Sequence, residues 1–290
     1  MANRLFCFGM GYTAQALAGD LQAEGWTVAG TTREPSAQGR LAARGWDMHL
    51  FGSGRPLDDP AAALAGTTHL LASVPPDEAG DAVLVHHAAD IAALGGLAWA
   101  GYLSTTGVYG DRQGGEVDES SDRLPASPRG LRRAAAEDAW LDLWRDHGIP
   151  VHIFRLAGIY GPGRNALETV RQGRARRIRK AGQVFGRIHL DDIVQTLRAS
   201  MARPNPGAAY NLVDDEAAPP DAVIAHACEL LGVEPPPLQD FEAVKDSLSP
   251  MALSFYGENK RVANRRIKQE LAVTLKWPTY REGLKGLLGV

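Results

Sequence analysis

Short apolar runs alternate with helix-patterned segments through the first half of the chain. The runs at 5–8, 27–31, 69–74, 99–105 and 151–156 predict buried strands. The segments 13–24, 81–94 and 132–147 predict helices between them. Strands that alternate with helices in this way predict right-handed βαβ units. We therefore expect an α/β fold, a doubly wound parallel sheet of the Rossmann type.

The pattern loosens after Gly161-Pro162-Gly163. Prolines become frequent, and short helical segments are predicted at 222–231 and 261–271. We expect a dinucleotide-binding domain over 1–160 and a smaller C-terminal substrate lobe over 161–290, with 189–200 returning to the first domain.

The most informative local pattern is Gly9-Met10-Gly11-Tyr12-Thr13-Ala14, directly after the first apolar run. Two glycines let the backbone turn tightly and approach a pyrophosphate, and a small third residue lets helix and strand pack closely. The N-terminus of the following helix offers N–H groups and a positive dipole end to phosphates. The pattern predicts a dinucleotide site at residues 9–13, although a glycine-rich turn without a ligand is the plain alternative.

The end of the second strand indicates which dinucleotide is bound. NAD enzymes place a carboxylate there for the ribose hydroxyls, whereas this chain has Thr31, Thr32 and Arg33. Arg33 can pair with a 2′-phosphate, and the threonine hydroxyls can donate to it. The sequence therefore favours NADP over NAD, unless Arg33 is only a solvated surface residue.

Composition excludes several other classes of protein. The 290 residues are 44% hydrophobic, with a net charge of −3, so no global field attracts nucleic acid or a membrane surface. The longest apolar stretch is too short and too rich in glycine to cross a bilayer. No signal peptide is expected, and Cys7 and Cys228 are expected to be buried free thiols, which suits the cytoplasm. The spacing of histidine and cysteine predicts no metal site.

Further motifs resemble those of the extended and atypical short-chain dehydrogenase/reductases, the NAD-dependent epimerase/dehydratase group. They occur in the same order along nearly the whole chain: Ser104-Thr105-Thr106-Gly107-Val108-Tyr109-Gly110, Ser127-Pro128, 155–163, 188–192 and Tyr210-Asn211. The resemblance implies that Ser73, Val74, Ser104 and Leu156 lie along the cofactor. It also implies a catalytic hydroxyl at Thr105 and a homodimer.

One departure from the group concerns catalysis. The Tyr-x-x-x-Lys pair of the group falls on Arg129 and Arg133. Arginine stays protonated at any useful pH and cannot replace the tyrosine as acid and base, but Arg133 could still hold a ribose or a phosphate. The proton would then come from Tyr109, Tyr160 or a water held by Thr105, although both tyrosines also suit packing.

Two functions follow from these observations. One is an NADP-dependent oxidoreductase or epimerase acting on a sugar nucleotide or another small carbonyl or hydroxyl substrate. The other is a catalytically silent NADP-binding sensor or partner-binding protein. The arginine-rich segment 171–187 suits an anionic substrate or a solvated surface, and one carboxylate of Asp191-Asp192 is expected to cap a helix.

Overall fold

The computed structural model describes residues 3–289. Within that range, the strands are β1 (Arg4–Phe8), β2 (Thr27–Thr32), β3 (Asp47–Leu50), β4 (His69–Ala72), β5 (Trp99–Thr105), β6 (Glu116–Val117), β7 (Val151–Leu156), β8 (Gly158–Tyr160), β9 (Arg177–Arg179), β10 (Arg187–His189), β11 (Ala209–Leu212), β12 (Leu238–Asp240) and β13 (Arg261–Val262). The helices are α1 (Tyr12–Ala23), α2 (Pro35–Ala42), α3 (Pro60–Leu64), α4 (Ala82–Ala92), α5 (Pro128–His147), α6 (Ala166–Arg171), α7 (Leu190–Ala202), α8 (Pro220–Leu231), α9 (Phe241–Val244), α10 (Pro250–Tyr256), α11 (Arg265–Glu270) and α12 (Tyr280–Leu288). Short 3-10 helices cover Thr106–Tyr109 and Lys245–Ser247.

Seven strands form one sheet in the order β11-β7-β5-β4-β1-β2-β3. The pairs β1-β2, β1-β4, β2-β3 and β4-β5 are parallel. The strand order reverses direction between β1 and β4, which makes their carboxyl ends the switch point where α/β sheets bind ligands. The predicted doubly wound α/β fold is confirmed.

The chain divides into two compact units. The first comprises Met1–Thr105, Leu131–Arg155 and Leu197–Tyr210, and the second comprises Thr106–Gly130, Leu156–Thr196 and Asn211–Val290. The predicted division into a domain over 1–160 and a lobe over 161–290 stays a prediction.

The first unit has a continuous apolar core around the sheet. Completely buried side chains of the central strands, such as Phe6, Leu70 and Tyr102, pack with Trp140 of α5. Helix α1 contributes to the interior through its apolar stripe, because Ala14, Leu17 and Leu21 recur at helical spacing.

The second unit contains three small two-stranded sheets, β10-β8, β12-β9 and β13-β6. One core cluster packs Tyr160 and Leu167 against helices α8 and α12, and another surrounds Phe241 and Tyr256. Short strands of two or three residues explain why periodicity alone gave little signal here.

Two boundaries differ from the predictions. Helix α5 begins at Pro128, four residues early, because proline suits the first helical position and the Ser127 hydroxyl accepts the Gly130 N–H at 3.1 Å. The predicted helix over 261–271 is wrong at its start. Arg261 and Val262 form a strand that pairs with β6, and helix α11 begins only at Arg265.

Candidate functional site

The turn between β1 and α1 requires glycine at its first position. Gly9 has φ +84°, a left-handed conformation that L side chains rarely adopt. A Cβ at Gly9 would lie 2.9 Å from Ser73 Oγ and 3.1 Å from Val74 Cγ2. The Gly9 N–H donates to Thr31 Oγ1 at 2.8 Å, and Ser73 Oγ donates to the Gly9 carbonyl at 2.5 Å. The ends of β2 and β4 therefore hold the turn in place.

The second glycine leaves the start of helix α1 open. Gly11 is the N-cap residue and has no side chain with which to satisfy the helix N–H groups. The first α-helical bond runs from the Gln15 N–H to the Gly11 carbonyl at 2.9 Å. A Cβ at Gly11 would meet nothing within 4 Å. The first turn, with Tyr12 and Thr13, thus faces space that an anion could occupy.

A third glycine, Gly30, was not predicted and allows β2 to pack closely against the turn. A Cβ at Gly30 in β2 would lie 2.6 Å from Met10 Cε and 2.8 Å from the Cys7 carbonyl. Met10 is buried, so its side chain packs inward and its backbone is the part that could meet a ligand. An isolated glycine inside a strand pattern is the signal that could have indicated this close approach.

The three polar residues at the end of β2 have different surroundings. Thr31 is buried, and its hydroxyl holds the glycine turn. Thr32 Oγ1 accepts the Glu34 N–H at 3.3 Å. Arg33 is exposed, and its guanidinium forms no hydrogen bond or ion pair with any residue in 3–289. Of the three, Arg33 has the charge and freedom to meet a phosphate.

The end of β5 is held by helix α5. Arg133 and Glu137 lie one helical turn apart, and both side chains are buried. Arg133 Nη1 donates to the Leu103 carbonyl at 2.8 Å and to the Tyr102 hydroxyl at 3.1 Å. Burial raises the pKa of Tyr102, so this hydroxyl stays protonated at physiological pH.

Glu137 forms a buried ion pair with Arg155. Its carboxylate accepts from Arg155 Nη2 at 2.8 Å and from Arg155 Nε at 3.1 Å. It also accepts from Ser104 Oγ at 2.5 Å. The Ser104 hydroxyl, which the family resemblance placed along the cofactor, therefore points into this network. Thr105, the next residue, is partly exposed. Glu137 was not predicted, although a charged residue among the apolar positions of α5 was a usable signal.

The remaining predicted residues belong to the second unit. Arg129 lies in the first turn of α5 and is exposed. Tyr109 is completely buried and donates its hydroxyl to Asn211 Oδ1 at 2.8 Å. This environment favours a packing role for Tyr109 over proton transfer. Leu156 is buried, and Tyr160 is buried with its hydroxyl 3.4 Å from the Thr279 carbonyl.

The arginine-rich segment of the second unit is largely engaged with its own surroundings. Arg179 pairs with Asp221 at 3.0 Å, and Arg171 pairs with Glu168 at 2.6 Å. Arg187 Nη1 donates to the Phe185 carbonyl at 2.9 Å. These partners favour a structural role for much of the segment.

The buried carboxyl of Asp214 is a further unusual group in this unit. Burial raises its pKa to about 8, and the nearby Arg187 cation opposes that rise. Its Oδ2 has no hydrogen-bond partner among residues 3–289. Asp214 was not predicted, because nothing in the local sequence reports burial.

The expectation that Asp191 or Asp192 caps a helix is wrong. Asp192 accepts the backbone N–H groups of Lys276 and Trp277 at 2.6 and 3.1 Å, and Asp191 pairs with the Lys276 ammonium at 2.8 Å. Both carboxylates therefore hold the segment before α12, a long-range contact that no local pattern shows.

Some classes of site have no support in the part of the chain that the structure describes. Within 3–289, no group of three or more histidine, cysteine or acidic side chains could hold a metal ion. No helix in that range is long and apolar enough to cross a bilayer. Both cysteines are free and buried, as predicted.

Several known proteins share this architecture. The chain is 48% identical to a functionally unknown conserved protein from Silicibacter pomeroyi DSS, whose solved structure matches with a TM-score of 0.89 over 99% of both chains. It is 29% identical over 288 residues to protein YeeZ of Escherichia coli (strain K12), covering 93% of this chain and 94% of that protein. UDP-glucuronic acid 4-epimerase from Bacillus cereus, solved in complex with NAD, matches with a TM-score of 0.76 at 15% identity, over 97% of this chain and 96% of that one. At that identity, the last match shows a shared fold alone.

A similarity to a named family comes from the sequence of the central region. A model of the NAD dependent epimerase/dehydratase family matches residues 78–212. The chain is therefore similar to the NAD dependent epimerase/dehydratase family over this central region. The matched region includes the end of β5 and the first turns of α5, where Arg129 and Arg133 stand at the positions of the family's tyrosine and lysine. The chain therefore combines a fold that is shared with that family and an altered pair on α5.

Proposed function

We propose that this protein binds NADP(H), with the pyrophosphate at the open N-terminus of α1 and the 2′-phosphate at Arg33. The single observation that carries the proposal is the Gly9–Gly11 turn. Its first glycine has no room for a Cβ, and its second faces open space in front of helix N–H groups. A turn that requires glycine at its first position and has open space at its second fits the close approach of a pyrophosphate.

The preference for NADP rests on charge at the end of β2. A carboxylate there would repel a 2′-phosphate, whereas the Arg33 fork can pair with two phosphate oxygens. The family is named for NAD, and the Bacillus cereus epimerase was solved with NAD. This chain would therefore differ from that relative in its choice of cofactor.

The reaction that we propose is hydride transfer on a small carbonyl or hydroxyl substrate such as a sugar nucleotide. The bound nicotinamide would accept or return the hydride. Thr105 would orient the reacting oxygen, at the end of the strand that Arg133 holds through the Leu103 carbonyl. A water held by Thr105 is the proposed carrier of the proton, because the Tyr109 hydroxyl is buried and already bonded.

Cofactor titration with matched arginine variants tests the first part. We expect Arg33→Ala to weaken NADPH binding roughly 10- to 100-fold, the usual loss for a charge-assisted hydrogen bond, and to leave NADH binding unchanged. Arg40→Ala is the control, because Arg40 is also exposed and makes no bond or ion pair with residues 3–289. Equal losses in the two variants, or none in Arg33→Ala, would refute the 2′-phosphate assignment.

Turnover tests the second part. Nucleotide sugars and simple aldehydes would be screened for NADPH oxidation, and the best substrate repeated with Thr105→Ala. Turnover that is unaffected by this substitution would refute the role of Thr105. Tight NADPH binding without turnover of any substrate would instead favour the silent binding protein. A homodimer and a cytoplasmic location stay predictions.

A further inference from the structure

The side chain of Arg33 lies against Gly52, shortly after the end of β3. Gly52 follows β3, and a Cβ built there would lie 3.4 Å from Arg33 Cγ and 3.6 Å from Arg33 Cδ. These are ordinary contact distances, so alanine would just fit. Any longer side chain at 52 would compete with the aliphatic part of Arg33 for the same space.

The backbone around Gly52 has little freedom to yield. The Phe51 N–H donates to the Thr32 carbonyl at 3.0 Å. Gly52 and Arg55 exchange two backbone hydrogen bonds, at 2.9 and 3.0 Å, which close a tight turn. Residues 52–55 form this turn, the β3 turn.

A helix and a second loop hold the same turn. His86 of α4 donates from Nε2 to the Ser53 carbonyl at 2.7 Å. A hydrogen bond from the Ser53 hydroxyl lowers the pKa of Asp77, in the loop after β4. Since the β3 turn is tied to β2, α4 and this loop, a larger residue at 52 would displace the exposed Arg33 side chain instead of the turn.

We propose that Gly52 is a specificity-determining position, which seats the Arg33 side chain in the direction that meets the 2′-phosphate of NADP. The inference rests on the proposed function, because it takes Arg33 as the phosphate ligand. Arginine has a long side chain with several rotatable bonds, and holding it in its bound arrangement lowers the entropy lost on binding. Because glycine has no Cβ, position 52 leaves room for the aliphatic part of the Arg33 side chain.

The predicted effect is graded by size. Gly52→Ala should bind NADPH within about twofold of the wild type, because a single Cβ makes only ordinary contact with Arg33. Gly52→Val should weaken NADPH binding roughly three- to tenfold, the cost of leaving one long side chain unordered before binding. NADH has no 2′-phosphate, so neither variant should change its affinity.

Gly54→Val is the matched control. Gly54 lies in the same β3 turn, and a Cβ there would meet nothing within 4 Å. Neither Gly52 nor Gly54 has a left-handed backbone, so valine brings no such strain at either site. The affinities would be measured by titrating each purified full-length variant with NADPH and with NADH, followed by nicotinamide fluorescence.

A double variant separates a positioning role from a purely structural one. If Gly52 acts through Arg33, Gly52→Val combined with Arg33→Ala should bind NADPH no more weakly than Arg33→Ala alone. Additive losses would overturn the inference. So would NADPH binding by Gly52→Val that equals that of Gly54→Val, while Arg33→Ala still loses affinity. A wild type that does not prefer NADPH would instead overturn the proposed cofactor, and this inference with it.

Discussion

The buried pair of Glu137 and Arg155 gives the sharpest stability prediction. Both side chains are almost inaccessible, at 0% and 8% exposure, and the carboxylate also accepts the Ser104 hydroxyl. Glu137→Ala would leave the Arg155 cation buried without its counter-charge. Breaking a buried pair in this way costs about 3–5 kcal/mol. The free energy of unfolding of a typical domain is only about 5–15 kcal/mol, so the loss should be large.

The assay is denaturant unfolding followed by tryptophan fluorescence and circular dichroism. Asp142→Ala is the control, because Asp142 pairs with Arg145 on the same helix, α5, and both are about half exposed. This control should unfold at nearly the wild-type denaturant concentration, since exposed pairs contribute little. The double variant Glu137→Leu with Arg155→Met should recover most of the loss, because it removes both charges. The reasoning fails if Glu137→Ala and Asp142→Ala unfold alike, or if the double variant is less stable than Glu137→Ala.

The remaining predictions concern the glycine turn and Asp214. Gly9→Ala should lower the free energy of unfolding by about 1–3 kcal/mol through backbone strain, and should abolish NADPH binding; thermal unfolding and titration check both. Gly11→Ala should keep wild-type stability, because its Cβ meets nothing within 4 Å, yet weaken NADPH binding; unchanged affinity would contradict the phosphate assignment. The Asp214 carboxyl has a pKa raised to about 8, so its contribution to stability is present below about pH 4 and is lost as the pH rises through 8. Asp214→Asn stays neutral and should therefore gain stability relative to the wild type as the pH rises from about 4 to about 8, and a gap that does not change over this range would contradict the burial argument.

Much of the sheet was predictable, because each predicted strand is a run of adjacent, mostly apolar residues. The strands over 99–105 and 151–156 match β5 and β7, since both segments are rich in apolar and aromatic residues. The strand β3 and the helices α2 and α3 were not predicted. Strand β3 is short and only partly buried, and α2 and α3 have eight and five residues, so neither periodicity shows clearly.

The candidate site was predictable where the pattern is local and not where contacts are long-range. The glycine turn and the presence of Thr31, Thr32 and Arg33, with no carboxylate before Glu34, could be read from adjacent residues. The contact of Gly52 with Arg33 and the burial of Tyr109 depend on which strands become neighbours. The acceptor of Ser104 is likewise on another element, Glu137 of α5, so the sequence suggested a ligand contact where the structure shows a buried bond.

The central claim is that the Gly9–Gly11 turn and Arg33 together hold NADP(H). Its most direct test is a side-by-side titration of the wild-type protein with NADPH and NADH at one fixed, low ionic strength, followed by nicotinamide fluorescence. The account predicts saturable binding of both, with NADPH bound roughly tenfold or more tightly, as one charge-assisted phosphate contact would supply. Equal affinities, or tighter binding of NADH, would contradict the role of Arg33, and binding of neither would contradict the dinucleotide site itself.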